Sequence, residues 1–161
     1  MSVSLAPELY YLSNFRTALA WVAERYADLL ADEERAFLDT INTLPWPSQA
    51  LLVRMIMRKG CHFRLSKLVY PEIGDCLAAA DPLLEQGWIT EQALLTADEI
   101  AELLRKDEVL THMPLTDRRA AQKKAELLEQ LRAMELPAQT FTDWCPMLDD
   151  QLLSLMVGRV V

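Results

Sequence analysis

Apolar side chains recur at the spacing of an α-helix along most of this chain, and prolines and glycines interrupt the pattern at a few places. The longest stripe alternates steps of three and four residues, so its members share one face of a helix: Leu12, Phe15, Leu19, Val22, Tyr26 and Leu29. Proline is tolerated in the first turn of a helix but not in its interior. Pro7 therefore suits the start of the first helix, and Pro45 and Pro47 separate a second helix from a third, which Gly60 ends.

The pattern changes after Gly60, where short strand-like and helical segments alternate. Residues 62–65 and 88–90 are predicted as strands, and residues 71–86 between them as a helix. Strand, helix and strand after a helical start is the order of a winged helix-turn-helix. We therefore predict a mainly α-helical protein whose first domain, residues 1–92, carries a small β wing.

A second helical unit is predicted over residues 93–136. Thr96 and Glu99 have the spacing of a capping box, in which the two side chains close the start of a helix. Later apolar residues predict the start of a further helical region over residues 137–161. Because the chain stops on an apolar residue, Val161, we interpret it as part of a longer protein.

Composition narrows the class of protein. Hydrophobic residues make up 52% of the chain and only 4 residues are glycine, which excludes general disorder and argues against a sheet-rich fold. No apolar run reaches the ~18 residues of a membrane-spanning helix, and the first residues lack the basic start and apolar centre of a secretion signal. We predict no membrane association and a cytoplasmic or nucleoid-associated location. Three separated cysteines indicate neither a disulfide framework nor a zinc site.

Charge is distributed unevenly along the chain. The net charge is −8, yet no acidic residue occurs between Thr40 and Pro71. This window carries a net charge of +5, which leaves −13 for the remaining residues. Its cations are Arg54, Arg58, Lys59, Arg64 and Lys67. Such segregation gives an acidic protein one surface that a phosphate backbone could use.

The cations of this window predict a nucleic-acid-binding surface. Arg54 and Arg58 lie four residues apart, so they share one side of the third helix and are expected to point outward. Tyr70 follows and offers a ring that could lie on a sugar or a base. Solvated charges, or ion pairs with nearby acidic helices, are the alternative interpretation.

A second basic cluster carries a weaker prediction of DNA binding. It consists of Arg118, Arg119, Lys123 and Lys124. These residues lie on a helix predicted over residues 117–134, where acidic residues alternate with them at helical spacing. That arrangement is typical of an ordinary solvated helix.

The search for catalytic motifs is negative. The chain contains neither a phosphate-binding glycine loop nor an H-E-x-x-H zinc motif. Metal-dependent nucleases commonly place an acidic residue two positions before a lysine, and none of the five lysines here has one. The acidic pairs Glu33–Glu34 and Asp149–Asp150 are interpreted as helix starts, where they favour the helix dipole. We predict no catalytic residue, no metal ligand and no cofactor in this chain.

Five segments follow one another over residues 9–90: Tyr10-Tyr11-Leu12-x-Asn14-Phe15, Arg25-Tyr26, Val53-Arg54-x-x-x-Arg58-Lys59-Gly60, Lys67-Leu68-x-Tyr70-x-Glu72-Ile73 and Gly87-Trp88-Ile89. In this order they resemble the N-terminal region of the Fanconi-associated nuclease family. Residues 94–134 resemble the SAP-type DNA-binding helix pair that follows in the family. There Leu94-Leu95-Thr96 leads the first helix and Lys124-Ala125-Glu126-Leu127-Leu128 lies in the second.

The resemblance implies a function for the chain. Family members are metal-dependent nucleases that cut branched DNA near a 5′ flap, trim it in the 5′–3′ direction and act in interstrand crosslink repair. Their C-terminal catalytic domain uses magnesium or manganese and follows a set of helical repeats. This chain would then be the platform that binds duplex or flapped DNA without sequence specificity, with the repeats and the nuclease domain as its partners in the parent protein.

The resemblance also implies site residues. Duplex contacts are expected at Arg54, Lys59 and Tyr70, with Tyr11 and Lys67 as further candidates. A protein of a different class remains as the alternative, namely an acidic helical adaptor that binds a basic protein partner and no DNA.

Overall fold

The computed structural model describes residues 9–156, which divide into two compact units. Within that range the first unit comprises residues 9–61 and 69–88, and the second comprises residues 62–68 and 89–156. The predicted domains 1–92, 93–136 and 137–161 stay a prediction. Pro7 and the apolar end at Val161 lie outside the described residues.

Helices build the first unit, as the apolar spacing predicts. They are α1 (Tyr10–Arg25), α2 (Asp32–Ile41), α3 (Trp46–Met57) and α4 (Cys76–Glu85), with a 3-10 turn at Ala27–Leu29. The central helix is α3, which packs against α1 and α4 and buries seven of its residues. Buried Gln49 accepts a hydrogen bond from Arg16 Nε (2.8 Å) and donates one to the Leu44 carbonyl (2.9 Å). Its amide is therefore satisfied on both sides.

The apolar stripe of α1 is only partly buried. Leu12 is buried, whereas Tyr26 and Leu29 are 42% and 78% exposed. The helix ends at Arg25, and the 3-10 turn that follows takes the last members of the stripe off the helical face.

Helix α4 begins five residues later than the sequence predicts. Gly74 has a positive φ of 78°, a conformation that favours glycine and interrupts a right-handed helix. Asp75 then caps the new helix, because its Oδ1 accepts a hydrogen bond from the Ala78 amide (3.1 Å). The predicted helix over residues 71–86 is therefore replaced at its start by a turn that contains Glu72.

The second unit combines short helices with a small sheet. Its helices are α5 (Ala97–Leu103), α6 (Lys106–His112), α7 (Lys124–Ala133) and α8 (Phe141–Trp144), with a 3-10 turn at Leu65–Lys67. The capping box is confirmed, since Thr96 Oγ1 accepts from the Glu99 amide (3.2 Å) and Glu99 Oε1 accepts from the Thr96 amide (3.0 Å). Buried side chains of these helices and their connections form the core of the unit: Leu95, Ile100, Leu104, Val109, Leu127, Leu131, Phe141 and Trp144.

The sheet consists of β1 (His62–Arg64), β2 (Ile89–Thr90) and β3 (Leu152–Leu155) in the order β1-β3-β2, with both pairings antiparallel. Both strands predicted from the sequence are therefore present, but each of them pairs with β3. Residues 152–155 were predicted to be helical, and this prediction is wrong. All four residues of β3 are buried, so the strand lacks the alternation that would distinguish it from a helix.

Within residues 9–156, no helix is both long and apolar enough to cross a membrane.

Candidate nucleic-acid interface

The C-terminal end of α3 presents two of the predicted cations. Arg58 caps the helix and Lys59 follows it, and both side chains are exposed. Gly60 adopts a positive φ of 89° and turns the chain away. The predicted stop at Gly60 therefore leaves Arg58 and Lys59 at a helix end, where a bulky ligand can approach them.

Arg54 lies one turn earlier and is held by an acid. Its Nη2 and Nε donate to Glu72 Oε2 at 2.8 and 3.1 Å. The same oxygen accepts a hydrogen bond from the Tyr11 hydroxyl at 2.8 Å. The Arg54 side chain remains 31% exposed, whereas that of Glu72 is 5% exposed. Arg54 thus reaches the surface as one partner of an ion pair.

Two aromatic rings enclose the Arg54 guanidinium. Its central carbon lies 4.1 Å from the centroid of the Tyr11 ring and 4.9 Å from that of Tyr70. The Tyr70 hydroxyl in turn accepts a hydrogen bond from Arg58 Nη1 (3.2 Å). We call these five residues the tyrosine–arginine cluster: Tyr11, Arg54, Arg58, Tyr70 and Glu72.

Ionisation in this cluster follows from its contacts. Burial of the Glu72 carboxyl opposes its ionisation, but hydrogen bonds from Arg54 and Tyr11 hold its pKa below the ordinary value. Burial, reinforced by the hydrogen bond to Glu72, raises the pKa of Tyr11 to about 12. At neutral pH the Tyr11 hydroxyl therefore keeps its proton and donates a hydrogen bond to an ionised Glu72.

Arg64 is buried in the second unit and differs from the exposed cations. Its Nη1 and Nη2 bond the two Glu108 oxygens at 2.7 Å each, and its Nε bonds Asp150 Oδ2 at 2.8 Å. The hydrogen bonds from Arg64 lower the pKa of Glu108 to about 2. Because Arg64 is 7% exposed and satisfied by two carboxylates, we leave it out of the surface proposed below. Lys67, at the end of the adjoining 3-10 turn, is exposed.

Most members of the second basic cluster are engaged within their own unit. Arg118 Nη1 donates to the Leu110 carbonyl (2.6 Å), Arg119 Nη2 pairs with Asp117 (2.8 Å), and Lys124 donates to the Leu104 carbonyl. Lys123 is exposed. The helix predicted over residues 117–134 begins only at Lys124, because the Gln130 side chain bonds both backbone groups of Asp117 and fixes a non-helical segment there.

Glu72 is the member of the site that sequence reasoning missed. It is the first acidic residue after the acid-free window, and it lies two residues after Tyr70 in the motif quoted above. Both signals were available, but neither shows that the acid folds back onto Arg54. Within the described part of the chain, no three His, Cys, Asp or Glu side chains are grouped to hold a metal ion.

Two family models match the chain. Residues 9–90 match the model described as FAN1, HTH domain, and residues 94–144 match the Fanconi anemia-associated nuclease SAP domain. A Fanconi-associated nuclease 1 homolog from Pseudomonas aeruginosa is 48% identical over 143 residues, which cover 89% of this chain and 26% of that protein. The human Fanconi-associated nuclease 1 is 32% identical over 104 residues, which cover 62% of this chain and 10% of the human protein.

Two solved structures share the fold. Both are crystal structures of paFAN1 bound to 5′ flap DNA with a gap, and each is 45% identical to this chain in sequence. They superpose on this chain with a TM-score of 0.84 for the complex with a two-nucleotide flap and 0.86 for the complex with a one-nucleotide flap. The superposed regions cover 95% and 93% of this chain but 28% of the other chain in each case. The chain thus spans about a quarter of the length of paFAN1 and of the Pseudomonas protein, and about a tenth of the human protein.

Proposed function

This chain belongs to the Fanconi-associated nuclease family, of which it contains the HTH and SAP region, and we propose that it binds duplex DNA at the C-terminal end of α3. The DNA backbone would be contacted there by Arg58, Lys59 and the exposed edge of Arg54. Lys67, in the second unit, is proposed as a separate backbone contact. The Tyr70 ring would lie against a sugar. The solved relatives that hold 5′ flap DNA favour a flapped or nicked duplex as the natural ligand.

One observation carries the proposal, namely the exposed cations at the end of α3 inside an acid-free window of an acidic chain. Arg58 and Lys59 are both exposed, and no acidic residue occurs between Thr40 and Pro71. A guanidinium and an ammonium beside an aromatic ring match the anionic oxygens and apolar sugar face of a nucleic-acid strand.

The groups proposed here recognise the backbone of DNA. Phosphate contacts set the position of a protein on a duplex and carry no direct sequence information. Binding should therefore be independent of sequence. In the parent protein the bound duplex would be presented to a magnesium- or manganese-dependent nuclease domain, which lies outside the region that this chain matches.

The salt dependence of binding tests the proposal. Each phosphate contact releases counterions, so four contacts predict that log K falls with log salt at a slope near −3.6. We would titrate a flapped duplex against the chain by fluorescence anisotropy at several salt concentrations, with a second duplex of unrelated sequence as the control. Absence of binding at low salt would contradict the proposal and favour the acidic adaptor, and a strong preference for one sequence would contradict the backbone contacts.

A further inference from the structure

We infer that Glu72, an acid inside a basic surface, is a positioning residue for DNA binding, because it fixes the orientation of Arg54 and of the two tyrosine rings stacked on it. The inference rests on the proposed function above. It assigns to Glu72 a role that its charge alone would contradict, since a carboxylate repels a phosphate.

The contacts of one oxygen atom carry the argument. Glu72 Oε2 accepts hydrogen bonds from the Tyr11 hydroxyl, Arg54 Nη2 and Arg54 Nε, at 2.8, 2.8 and 3.1 Å. The Glu72 side chain is 5% exposed, so it is an anchor below the surface and Arg54 is the exposed partner. Because Arg54 bonds Glu72 through Nε and Nη2, its Nη1 group lies on the side of the guanidinium that does not face the acid.

The two tyrosine rings connect Arg54 to the exposed Arg58. The ring centroids of Tyr11 and Tyr70 lie 4.1 and 4.9 Å from the Arg54 guanidinium carbon, so a shift of Arg54 changes the contacts of both rings. Arg58 then donates to the Tyr70 hydroxyl at 3.2 Å. A continuous series of contacts thus leads from buried Glu72 to exposed Arg58.

Order in this cluster favours binding because flexible side chains lose conformational freedom when they contact a ligand. An arginine or lysine that is immobilised on association therefore reduces the affinity for the ligand. Side chains that are already held by Glu72 avoid part of that cost. This gain opposes the repulsion between Glu72 and the phosphates, and the two effects make opposite predictions for variants.

Two substitutions separate geometry from charge. Glu72→Gln removes the negative charge but keeps the length of the side chain and an acceptor oxygen for all three donors. Glu72→Asp keeps the charge but shortens the side chain by one methylene, so its oxygen no longer meets Arg54 and Tyr11 together. If Glu72 acts by position, Glu72→Asp weakens DNA binding about tenfold (about 1.4 kcal/mol) and Glu72→Gln binds within about twofold of the wild type.

An account based on charge alone predicts a different position of each variant relative to the wild type. Glu72→Asp would then bind like the wild type, and Glu72→Gln would bind more tightly because it lacks the repulsive carboxylate. We would measure the dissociation constant of a flapped duplex at two salt concentrations for all three proteins, together with the melting temperature. The Arg54 Nε–H resonance in a ¹⁵N spectrum should show that the hydrogen bond is lost in Glu72→Asp and kept, with a changed chemical shift, in Glu72→Gln.

The outcomes are distinguishable. A wild-type chain that does not bind DNA overturns the proposed function and this inference together, whereas a wild type that binds and a Glu72→Asp variant that binds equally well overturn only the inference. If Glu72→Asp lowers the melting temperature by more than about 4 °C, on the order of 1 kcal/mol, Tyr11→Phe replaces it. That variant keeps the ring and both Arg54–Glu72 hydrogen bonds and loses only the hydroxyl that bonds Glu72. Binding equal to the wild type would overturn the claim that Glu72 positions the Tyr11 ring for DNA binding.

Discussion

Arg58 and Arg64 carry the same guanidinium group in different surroundings. Arg58 is exposed at the end of α3, whereas Arg64 is 7% exposed and bonded to Glu108 and Asp150. A buried arginine with two carboxylate partners is already desolvated and satisfied, so a phosphate would have to displace both acids. Accessible charge, rather than the number of cations in a window, therefore decides which side chains can meet DNA.

The sequence could predict that Arg58 is exposed, but it could not predict the ion-pair partners of Arg64. The exposure of Arg58 follows from its place at a helix end that Gly60 marks. Arg64, however, meets Glu108 and Asp150, which are 44 and 86 residues away along the chain. Side-chain spacing along one helix cannot reveal such pairs, because only the tertiary fold brings them together.

The Arg64–Glu108 pair predicts a specific loss of stability in acid. The pKa of Glu108 is lowered from 4.5 to about 2 by its hydrogen bonds to Arg64. A carboxyl whose pKa is depressed by folding contributes stability above its unfolded pKa, and this contribution is lost as the pH falls through the folded pKa. We expect the free energy of unfolding to drop by on the order of 3 kcal/mol between about pH 5 and pH 2.

Urea denaturation of the wild type and of Glu108→Gln, at steps from pH 6 to pH 2, would measure this effect. Glu108→Gln should be less stable at pH 6 and should lose less stability towards pH 2. Parallel curves for the two proteins would show that Glu108 makes no such contribution.

Among the elements, β3 organises the sheet. It is the central strand, with Phe63 opposite Leu153 on one side and Ile89 opposite Leu155 on the other. Helical spacing and two prolines predicted the helices α2 and α3, and a capping box predicted the start of α5. The four buried residues of β3 gave no such signal, because a short apolar run is compatible with either a strand or a buried helix. The late start of α4 escaped prediction for a different reason, since the positive φ of Gly74 is a property of the folded turn.

A proline in β3 should therefore unfold the sheet. Leu153 is fully buried in the central strand, and proline there removes a ladder hydrogen bond and clashes with the neighbouring backbone, at a cost of about 3 kcal/mol or more. We expect Leu153→Pro to lower the midpoint of urea unfolding strongly. Leu153→Val keeps the strand backbone and should cost less than about 1.5 kcal/mol. If both variants lose the same free energy of unfolding, the loss comes from side-chain packing and not from the strand backbone.

For the whole molecule, the distribution of charge matters more than its sum. The chain carries −8 overall and +5 between Thr40 and Pro71. At physiological salt, charges more than about 8 Å from a ligand are largely screened. The exposed cations Arg58 and Lys59 at the end of α3 can therefore attract DNA although the protein is acidic.

Two double variants with the same change in net charge test this view. Arg58→Glu with Lys59→Glu alters the end of α3, and Arg118→Glu with Lys123→Glu alters the second basic cluster. We expect the first pair to weaken DNA binding strongly and to reduce the magnitude of the salt slope by about 1.8, or 0.9 for each phosphate contact. The second pair should leave the slope unchanged, and an equal loss in both pairs would mean that binding follows net charge alone. Circular dichroism of both proteins checks that the helices persist.

The strand order has a consequence for how the polypeptide is made. On the ribosome, β1 and β2 leave the exit tunnel before β3, which begins at Leu152, whereas β2 ends at Thr90. Synthesis proceeds at about 5–20 residues per second. The outer strands β1 and β2 therefore remain unpaired for several seconds before β3 leaves the tunnel. During that interval the nascent chain has exposed backbone donors and acceptors that strands of other chains can pair with.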